Sequence, residues 1–339
     1  MTPPLRFGVA YDFRNPAHSG IDNATFYAAA LDQVAWLDGL GLDLVWFTEH
    51  HFLEDGYLPS WVPVAGAMAA RTSHVRFSTN ICLMPFNNPV RLAEDLAVLD
   101  NISGGRVEIG IGQGYAPHEF RGFGFPVSQR VSRTEEGVEV LKRCFAGERF
   151  SFHGKRYTFE DVQIRPGYVQ PGGPPLFMAA MSEAGALRCA RFGAHLLPQG
   201  PRDQVLDPWR AAVEAEGRDP ADHRIGLIRP CLVTDDRARD WPAVRAAERY
   251  RVDVYLKLSE ESGGEGLARA NDPQVIPQTW VIGDVDHCVA EYAAFIREYG
   301  ITDIVTWGAP PGLHPEQMNP SLEAFATQVV PKLKAMLAV

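Results

Sequence analysis

Two adjacent histidines, His50 and His51, follow Glu49 at the end of an apolar stretch of this 339-residue sequence. Histidine gains and loses a proton near neutral pH, so a histidine that faces a cavity could act in general acid–base catalysis. Side chains alternate between the two faces of a strand, so both imidazoles cannot face one cavity or bind one metal ion there. The sequence therefore predicts that one of the two histidines is an acid–base group, in preference to a metal centre. A histidine held only by hydrogen bonds at the rim of the fold is the alternative.

A row of glycines forms a second candidate site. Gly110, Gly112 and Gly114 alternate along an apolar run and therefore share one face, which carries no side chains. Such a face is typical of close approach by a ligand or by another backbone, and the spacing alone favours neither.

A third candidate, Ser182, follows the apolar run 176–181 at the start of a predicted helix. Its hydroxyl is placed to cap that helix, which is the commoner role for a serine in this position. The same helix start offers free N–H groups and the positive end of a dipole to a phosphate. Phosphate binding is therefore the alternative to an ordinary cap.

These candidates lie on apolar, β-branched runs that alternate with helical patterns. The predicted strands are 6–13, 43–51, 75–84, 107–113, 176–181, 195–199, 224–233 and 303–307. The predicted helices are 23–40, 59–70, 89–102, 131–145, 183–191, 204–216, 241–258 and 286–299. This alternation predicts an α/β fold with a parallel sheet, and the number of units is the one that closes a (β/α)8 TIM barrel. An open doubly wound sheet is the alternative, although no GxGxxG follows the first strand.

Two segments interrupt the alternation within one predicted barrel domain, 1–339. Residues 150–170 alternate apolar and polar positions around a His-Gly turn, which predicts an inserted hairpin. Residues 259–277 are rich in Gly, Glu, Ser and Pro, and we expect a lid over the barrel mouth, with an exposed linker as the alternative. In a barrel, the catalytic residues lie at the carboxyl ends of the strands and in the loops that follow.

The composition narrows the classes of partner. The chain carries 32 Lys and Arg against 42 Asp and Glu, a net charge of −10, which argues against nucleic acid and anionic membranes. The longest apolar run is about ten residues, half of what a membrane span needs. No secretory signal pattern is present, and the five cysteines are scattered without CxxC spacing. We therefore expect a cytoplasmic protein with reduced thiols.

The motif EHHF at 49–52 and the block 87–124 resemble the bacterial luciferase-like family of flavin-dependent monooxygenases, whose fold is the (β/α)8 barrel. The spacing between the motif and the block also matches the family without a gap. Weaker similarity continues through the predicted hairpin and 180–182 to 281–283. The resemblance thus covers nearly the whole chain, with its specific part in 46–124.

The resemblance implies roles for individual residues. His50 matches the family's active-site histidine beside the flavin, and Glu119 matches an acidic residue thought to tune the flavin site. Asn80 and Ile81 match a pair joined by a non-proline cis peptide against the flavin ring. Met181 and Ser182 match flavin contacts, with Ser182 at the phosphate. The predicted catalytic residues are His50, Glu49 and Glu119, and the predicted cofactor-binding residues are Asn80, Ile81, Gly112, Gln113, Gly114, Ala180, Met181 and Ser182.

Two positions depart from the family pattern. Gly112 stands where luciferase itself carries a reactive cysteine, so that thiol chemistry is not expected here. Gln113 stands where luciferase carries a phosphate-binding arginine, and a neutral amide loses a charge-assisted hydrogen bond worth about 1.5–3 kcal/mol. A phosphate would then depend on Ser182, the helix start and an arginine from elsewhere, for which Arg269 in the expected lid is a candidate.

The resemblance implies a two-component flavin monooxygenase as the first functional hypothesis. Such an enzyme takes reduced FMN from a separate flavin reductase and uses O2 on a small organic substrate, such as an aldehyde or a ketone. The second hypothesis is an F420-dependent oxidoreductase that transfers hydride on the same barrel, and Gln113 removes one reason to prefer FMN. A flavin-binding barrel without turnover and a metal-dependent hydrolase are the remaining alternatives. The family tends to dimerise, so we expect a homodimer, with helix 59–70 as one candidate face.

Overall fold

Parallel strands and helices alternate along residues 3–263 and 279–337, which are the residues that the computed structural model describes. The strands are β1 (Arg6–Tyr11), β2 (Leu44–Phe47), β3 (Arg76–Thr79), β4 (Cys82–Leu83), β5 (Ile109–Gly112), β6 (Phe150–His153), β7 (Thr158–Val162), β8 (Leu176–Ala180), β9 (His195–Pro198), β10 (Gly226–Ile228), β11 (Cys231–Val233), β12 (Val281–Gly283) and β13 (Asp303–Trp307). The helices are α1 (Asn23–Gly39), α2 (Trp61–Ala69), α3 (Pro89–Ser103), α4 (Pro117–Gly122), α5 (Arg130–Phe145), α6 (Glu183–Phe192), α7 (Arg202–Ala215), α8 (Arg237–Glu261), α9 (Val285–Tyr299), α10 (Asn319–Ala324) and α11 (Val330–Leu337).

The parallel strands close into a barrel. One sheet has the order β10-β13-β1-β2-β3, and a second has the order β4-β5-β8-β9. Parallel bridges between Phe77 and Val107 and between Leu196 and Ile225 join the two sheets at both seams. The predicted (β/α)8 barrel is confirmed, and the open doubly wound alternative is wrong. The antiparallel pair β6–β7 confirms the inserted hairpin.

Two of the predicted strands are broken in the structure. The run 224–233 divides into β10 and β11 on either side of Pro230, because proline has no N–H to donate to a neighbouring strand. The run 75–84 divides into β3 and β4 at the Asn80–Ile81 peptide, which is cis. Each pair of short strands still occupies one place in the barrel.

The helices differ from their predictions mainly at the ends. Helix α8 begins at Arg237 and ends at Glu261, so residues 259–261 of the expected lid are helical. The remainder of that segment from 264 onward, with Arg269, lies outside the described residues. Helix α4 was not predicted, although Pro117 at its first position is typical of a helix start. No helix of the described chain is long and apolar enough to cross a membrane.

The apolar side chains form two clusters. The larger one lies between the strands and the surrounding helices, and it buries Trp61, Val64 and Met68 of α2. Burial within the chain therefore accounts for the apolar residues of α2, the candidate dimer face. The smaller cluster fills the barrel interior and is made by Ala10, Leu44, Trp46, Phe177, Leu197, Ile228, Val305 and Trp307.

A buried ionic network ties the amino-terminal ends of the strands together. The guanidinium of Arg6 donates to Glu108 at 2.6 Å and to Asp303 at 2.5 Å, and Arg76 donates to Glu108 at 2.7 Å. Burial favours the neutral form of Glu108, but Arg6 and Arg76 outweigh it and hold its pKa below the ordinary value. Burial prevails at Asp303, whose pKa is raised despite Arg6. The network joins β1 and β13 to the residue that precedes β5.

Candidate active site

The carboxyl ends of the barrel strands bring the predicted site residues to one mouth. His50 lies beyond the end of β2, because β2 stops at Phe47 and not at His51 as predicted. Gln113 and Gly114 follow β5, and the register that pairs Ile111 with Met178 carries them toward the end of β8. Ala180 ends β8 and is followed by Met181 and Ser182. The mouth is thus built from the loops after β2, β5 and β8.

His50 and Glu119 form a buried pair in this mouth. Nδ1 of His50 lies 2.9 Å from Oε1 of Glu119, and both side chains are buried. A carboxylate beside Nδ1 favours the tautomer or cation that carries a proton there, so proton exchange falls to Nε2. Glu119 lies on the unpredicted helix α4, and the resemblance alone identified it.

The electrostatics of Glu119 support its ionised form. Burial alone would raise the pKa of Glu119, but His50 and the backbone N–H of His51, which donates to Oε1 at 2.8 Å, hold that pKa below the ordinary value. The other carboxylate oxygen, Oε2, is buried and has no hydrogen-bond partner among the described residues. Buried polar atoms are usually satisfied, so this oxygen marks a place where a ligand could donate a hydrogen bond.

His51 belongs to a second, separate pair. Its Nε2 lies 3.0 Å from Oε1 of Glu49, and its ring packs against Phe86 and Phe123 at 5.5 and 4.8 Å between centroids. Glu49, predicted as a catalytic residue, therefore contacts His51 and not His50. The two imidazoles have different partners, as predicted. The reason differs from the predicted one, because β2 ends at Phe47 and the two histidines do not lie in a strand. Within the described ranges no three His, Cys, Asp or Glu side chains converge as metal ligands.

Three tyrosines surround the ring of His50. The ring centroids of Tyr57, Tyr115 and Tyr255 lie 4.8, 5.9 and 5.8 Å from it, all in edge-to-face geometry. The hydroxyls of Tyr57 and Tyr255 lie 2.8 Å apart, and burial raises the pKa of both. We did not predict these residues. Tyr115 directly follows the glycine row, which was an available signal, whereas Tyr255 comes from α8, far away in the sequence.

Packing accounts for two glycines of the row. A Cβ on Gly110 would lie 2.0 Å from the carbonyl oxygen of Thr79, and one on Gly112 would lie 1.7 Å from Cδ1 of Ile81. Close approach by another part of the chain, the alternative to a ligand, thus explains both positions. Gly112 supports the side chain of Ile81, which follows the cis peptide bond and packs on the interior cluster with Ala179 and Trp280. Ile81, Ala179 and Trp280 are partly exposed, and each packs against the interior cluster.

Ser182 occupies the N-cap position of α6, as predicted, but its hydroxyl makes no capping hydrogen bond. The ordinary cap is therefore not formed. Neither Ser182 nor Gln113 has a side-chain hydrogen bond to any of the described residues. A Cβ on Gly200 would lie 2.7 Å from the carbonyl oxygen of Met181, so the loops after β8 and β9 meet at this point. Two polar side chains at this end of the mouth are thus available to a ligand.

We expect Glu119→Gln to remove a pH-dependent part of the stability. Because the folded-state pKa of Glu119 is lowered, its stabilisation is present above the ordinary glutamate value near 4.5 and is lost as pH falls through the folded value. Urea unfolding is compared at about pH 7 and at the most acidic pH at which the wild type stays folded; the loss should be about 1–3 kcal/mol at the first pH and smaller at the second. Glu94→Gln, at a half-exposed glutamate of α3, serves as the control. An equal loss at both pH values would contradict the role of the ionised carboxylate.

The chain belongs to the luciferase-like monooxygenase family, whose model matches residues 5–303. It is 26% identical to 4-hydroxyprotoasukamycin monooxygenase of Streptomyces nodosus subsp. asukaensis, over 96% of this chain and 92% of that protein. It is 31% identical to the F420-dependent glucose-6-phosphate dehydrogenase of Kineococcus radiotolerans, over 87% of this chain and 89% of that protein. A further match is partial: the chain spans 63% of the length of an uncharacterized protein from Sinorhizobium fredii at 27% identity, over 64% of itself.

Solved structures show the same fold. The monooxygenase RslO1 from Streptomyces bottropensis matches with a TM-score of 0.82 at 27% identity, over 97% of this chain and 99% of that one. The oxygenating constituent of 3,6-diketocamphane monooxygenase from Pseudomonas putida, in complex with FMN, matches with a TM-score of 0.77 at 17% identity, over 98% and 99% of the two chains. This protein is therefore an oxidoreductase with a barrel fold. Its relatives include a dehydrogenase named as F420-dependent, and one of the similar structures contains FMN.

Proposed function

We propose that this protein is a monooxygenase that uses reduced FMN and O2 on a small organic substrate. The observation that carries the proposal is the buried His50–Glu119 pair at the barrel mouth, where tyrosine rings pack edge-to-face on His50. Membership of the luciferase-like monooxygenase family and the similarity to two proteins named as monooxygenases support it.

The residues at the mouth fit a flavin in two respects. Ile81, Ala179 and Trp280 offer an apolar surface for a planar ring. The indole N–H groups of Trp280 and Trp307 and Oε2 of Glu119 are buried without partners among the described residues, so a ligand that carries both hydrogen-bond acceptors and donors on its edges would satisfy them. When bound, the reduced flavin would supply the electrons that activate O2.

The phosphate of FMN would lie at the opposite end of this surface. Ser182, at the start of the ten-residue helix α6, presents an unengaged hydroxyl beside the free N–H groups of the helix. Gln113 approaches the same end and presents a neutral amide. This donor set suits a phosphate, although it lacks the charge that an arginine would bring.

Side chains of the protein would transfer a proton, orient the histidine and exclude water. His50 transfers the proton through Nε2, while Glu119 holds Nδ1 and orients the ring. Tyr57, Tyr115 and Tyr255 exclude water from the face of His50 and so protect the reacting groups from solvent. Glu49 supports this arrangement indirectly, by fixing His51 on the other side of the loop.

Use of F420 with hydride transfer is the second candidate function. The relative from Kineococcus radiotolerans that is named as F420-dependent is 31% identical to this chain, and Gln113 lacks the charge expected for FMN.

Under the FMN proposal the reduced flavin comes from a separate reductase. We also expect a homodimer with a cytoplasmic location.

The phosphate assignment is tested by two substitutions with opposite expected effects. Ser182→Ala should weaken binding of reduced FMN by about tenfold, the value of one lost hydrogen bond to a charged group, and Gln113→Arg should tighten it by a similar factor. Because Ser182 makes no cap bond, Ser182→Ala should leave the free energy of unfolding nearly unchanged. Anaerobic titration of reduced FMN and urea unfolding measure both quantities, with Ser128→Ala as the control. Unchanged affinity in both variants would refute this position for the phosphate.

A further inference from the structure

Arg14, which follows the first barrel strand, is buried with fewer hydrogen-bond acceptors around it than its N–H donors require. Its side chain is 0% exposed, and Nε donates to Oδ2 of Asp55 at 2.7 Å. The two terminal nitrogens, Nη1 and Nη2, have no hydrogen-bond partner among the described residues. Fully buried arginines are rare and normally have their charge and their donors satisfied. Two donors of a buried cation are thus left for something outside the described chain.

The guanidinium of Arg14 and the ring of His50 face the same aromatic pocket. The guanidinium carbon lies 5.2 Å from the ring centroids of Tyr57 and Tyr250 and 5.9 Å from that of Tyr255. Tyr57 and Tyr255 also pack edge-to-face on His50. A ligand on Arg14 would therefore lie against tyrosine rings and within the neighbourhood of the catalytic histidine.

Asp12 adds a carboxylate oxygen that also lacks a partner. Oδ1 accepts from the backbone N–H of Arg14 at 3.1 Å, whereas the buried Oδ2 has no partner among the described residues. Burial raises the pKa of Asp12 to about 6, although Arg14 opposes the shift. Above that pH the negative charge of Asp12 opposes binding of an anion at Arg14, so Asp12 provides a test of opposite sign.

Helix α8 covers this pocket mainly through polar and aromatic contacts. Of its 25 residues only Val244, Ala247, Leu258 and Ser259 are buried, so little apolar surface holds it in place. Its polar contacts to the mouth are Tyr250 to Asp55 at 3.1 Å, Tyr255 to Tyr57 at 2.8 Å, and Glu261 to His118 at 2.7 Å and to Arg121 at 2.9 Å. Binding of a ligand at Arg14 requires this helix to move outward.

We propose that Arg14 binds an oxygen anion of the substrate, a carboxylate or a phenolate, and holds the substrate between the tyrosine rings beside His50. Two parallel N–H donors match the oxygens of such a group, and arginine is well suited to planar, two-point recognition. The tyrosine rings suit a flat apolar body attached to the anion. This inference depends on the proposed function in one respect, the assumption that the substrate and not the cofactor binds in the tyrosine pocket.

The test is direct binding of small anions to the full-length protein without cofactor. Calorimetric titrations at about pH 8 compare benzoate with benzamide, and 4-nitrophenolate with nitrobenzene. We expect the protein to bind one of the anions at least about tenfold more tightly than its neutral counterpart, the effect of a charge-assisted hydrogen bond. The benzoate arm identifies a carboxylate site and the nitrophenolate arm a phenolate site.

Three variants assign the effect to Arg14. Arg14→Gln should abolish the preference for the anion, Asp12→Asn should increase it, and Arg91→Gln, at an exposed position of α3, should leave it unchanged. If Arg14→Gln does not fold, the wild-type preference and the response to Asp12→Asn decide the question. Equal binding of anion and neutral counterpart, or a preference that survives in folded Arg14→Gln, would overturn the proposal. Anion binding by a protein that does not bind reduced FMN would refute the proposed cofactor alone.

Discussion

His50→Ala should lower turnover by about 10²–10⁴-fold, the range expected when a general acid–base group is removed. The fold and most of the cofactor affinity should persist, because Glu119 keeps its second hydrogen bond, from the backbone N–H of His51. Turnover is measured as the rate of product formation per enzyme molecule, with reduced FMN in excess and a substrate that the wild-type protein oxidises.

The matched control for His50 is its neighbour. His51→Ala removes an imidazole that contacts Glu49 and phenylalanine rings instead of the tyrosine pocket, so its effect on turnover should be much smaller. Comparable losses of turnover in the two variants, both folded, would show that His50 has no special part in the chemistry.

Arg6→Ala should lower the free energy of unfolding by about 3–5 kcal/mol, the cost of leaving buried charges without their partner. Arg6 contacts two buried carboxylates, Glu108 and Asp303, at the amino-terminal end of the barrel. Arg76 remains beside Glu108 and Arg224 remains beside Asp303, so each carboxylate keeps one arginine partner and the loss should fall toward the lower end of this range. Urea unfolding followed by circular dichroism measures the change.

An exposed ion pair provides the control for Arg6. Arg91 on α3 pairs with Asp95 at 2.9 Å with most of its side chain in solvent, so Arg91→Ala should cost less than about 1 kcal/mol. A loss for Arg6→Ala as small as that for Arg91→Ala would mean that the network at the base of the barrel does not stabilise it.

Much of the barrel could be predicted from the sequence, because periodicity and burial agree in it. The strand 303–307 was predicted to the residue, and the helix predicted over 23–40 ends one residue earlier, at Gly39. The end of β2 was placed four residues too late, because the prediction extended the strand through the polar residues 48–51, which lie in a loop. The prediction of a single strand over 224–233 did not take Pro230 into account, whose missing N–H divides that strand.

The candidate site could be predicted only in part. His50 was identified by its type and motif, and Glu119 by the resemblance alone, because nothing local connects positions 69 residues apart. Asp12 and Arg14 lie at a strand end, where a barrel places its chemistry, but their missing partners are visible only once the surrounding side chains are placed. Tyr255 reaches the mouth from α8, and no pattern in the sequence brings it beside His50.

The most direct measurement of the central claim is a comparison of cofactor affinities. Anaerobic titration of the full-length protein with reduced FMN and with reduced F420, followed by absorbance and by competition between the two, gives both dissociation constants. We expect reduced FMN to bind more tightly, and Ser182→Ala to weaken it while leaving the free energy of unfolding nearly unchanged. Tighter binding of reduced F420, with no effect of Ser182→Ala on either cofactor, would contradict the account and favour hydride transfer.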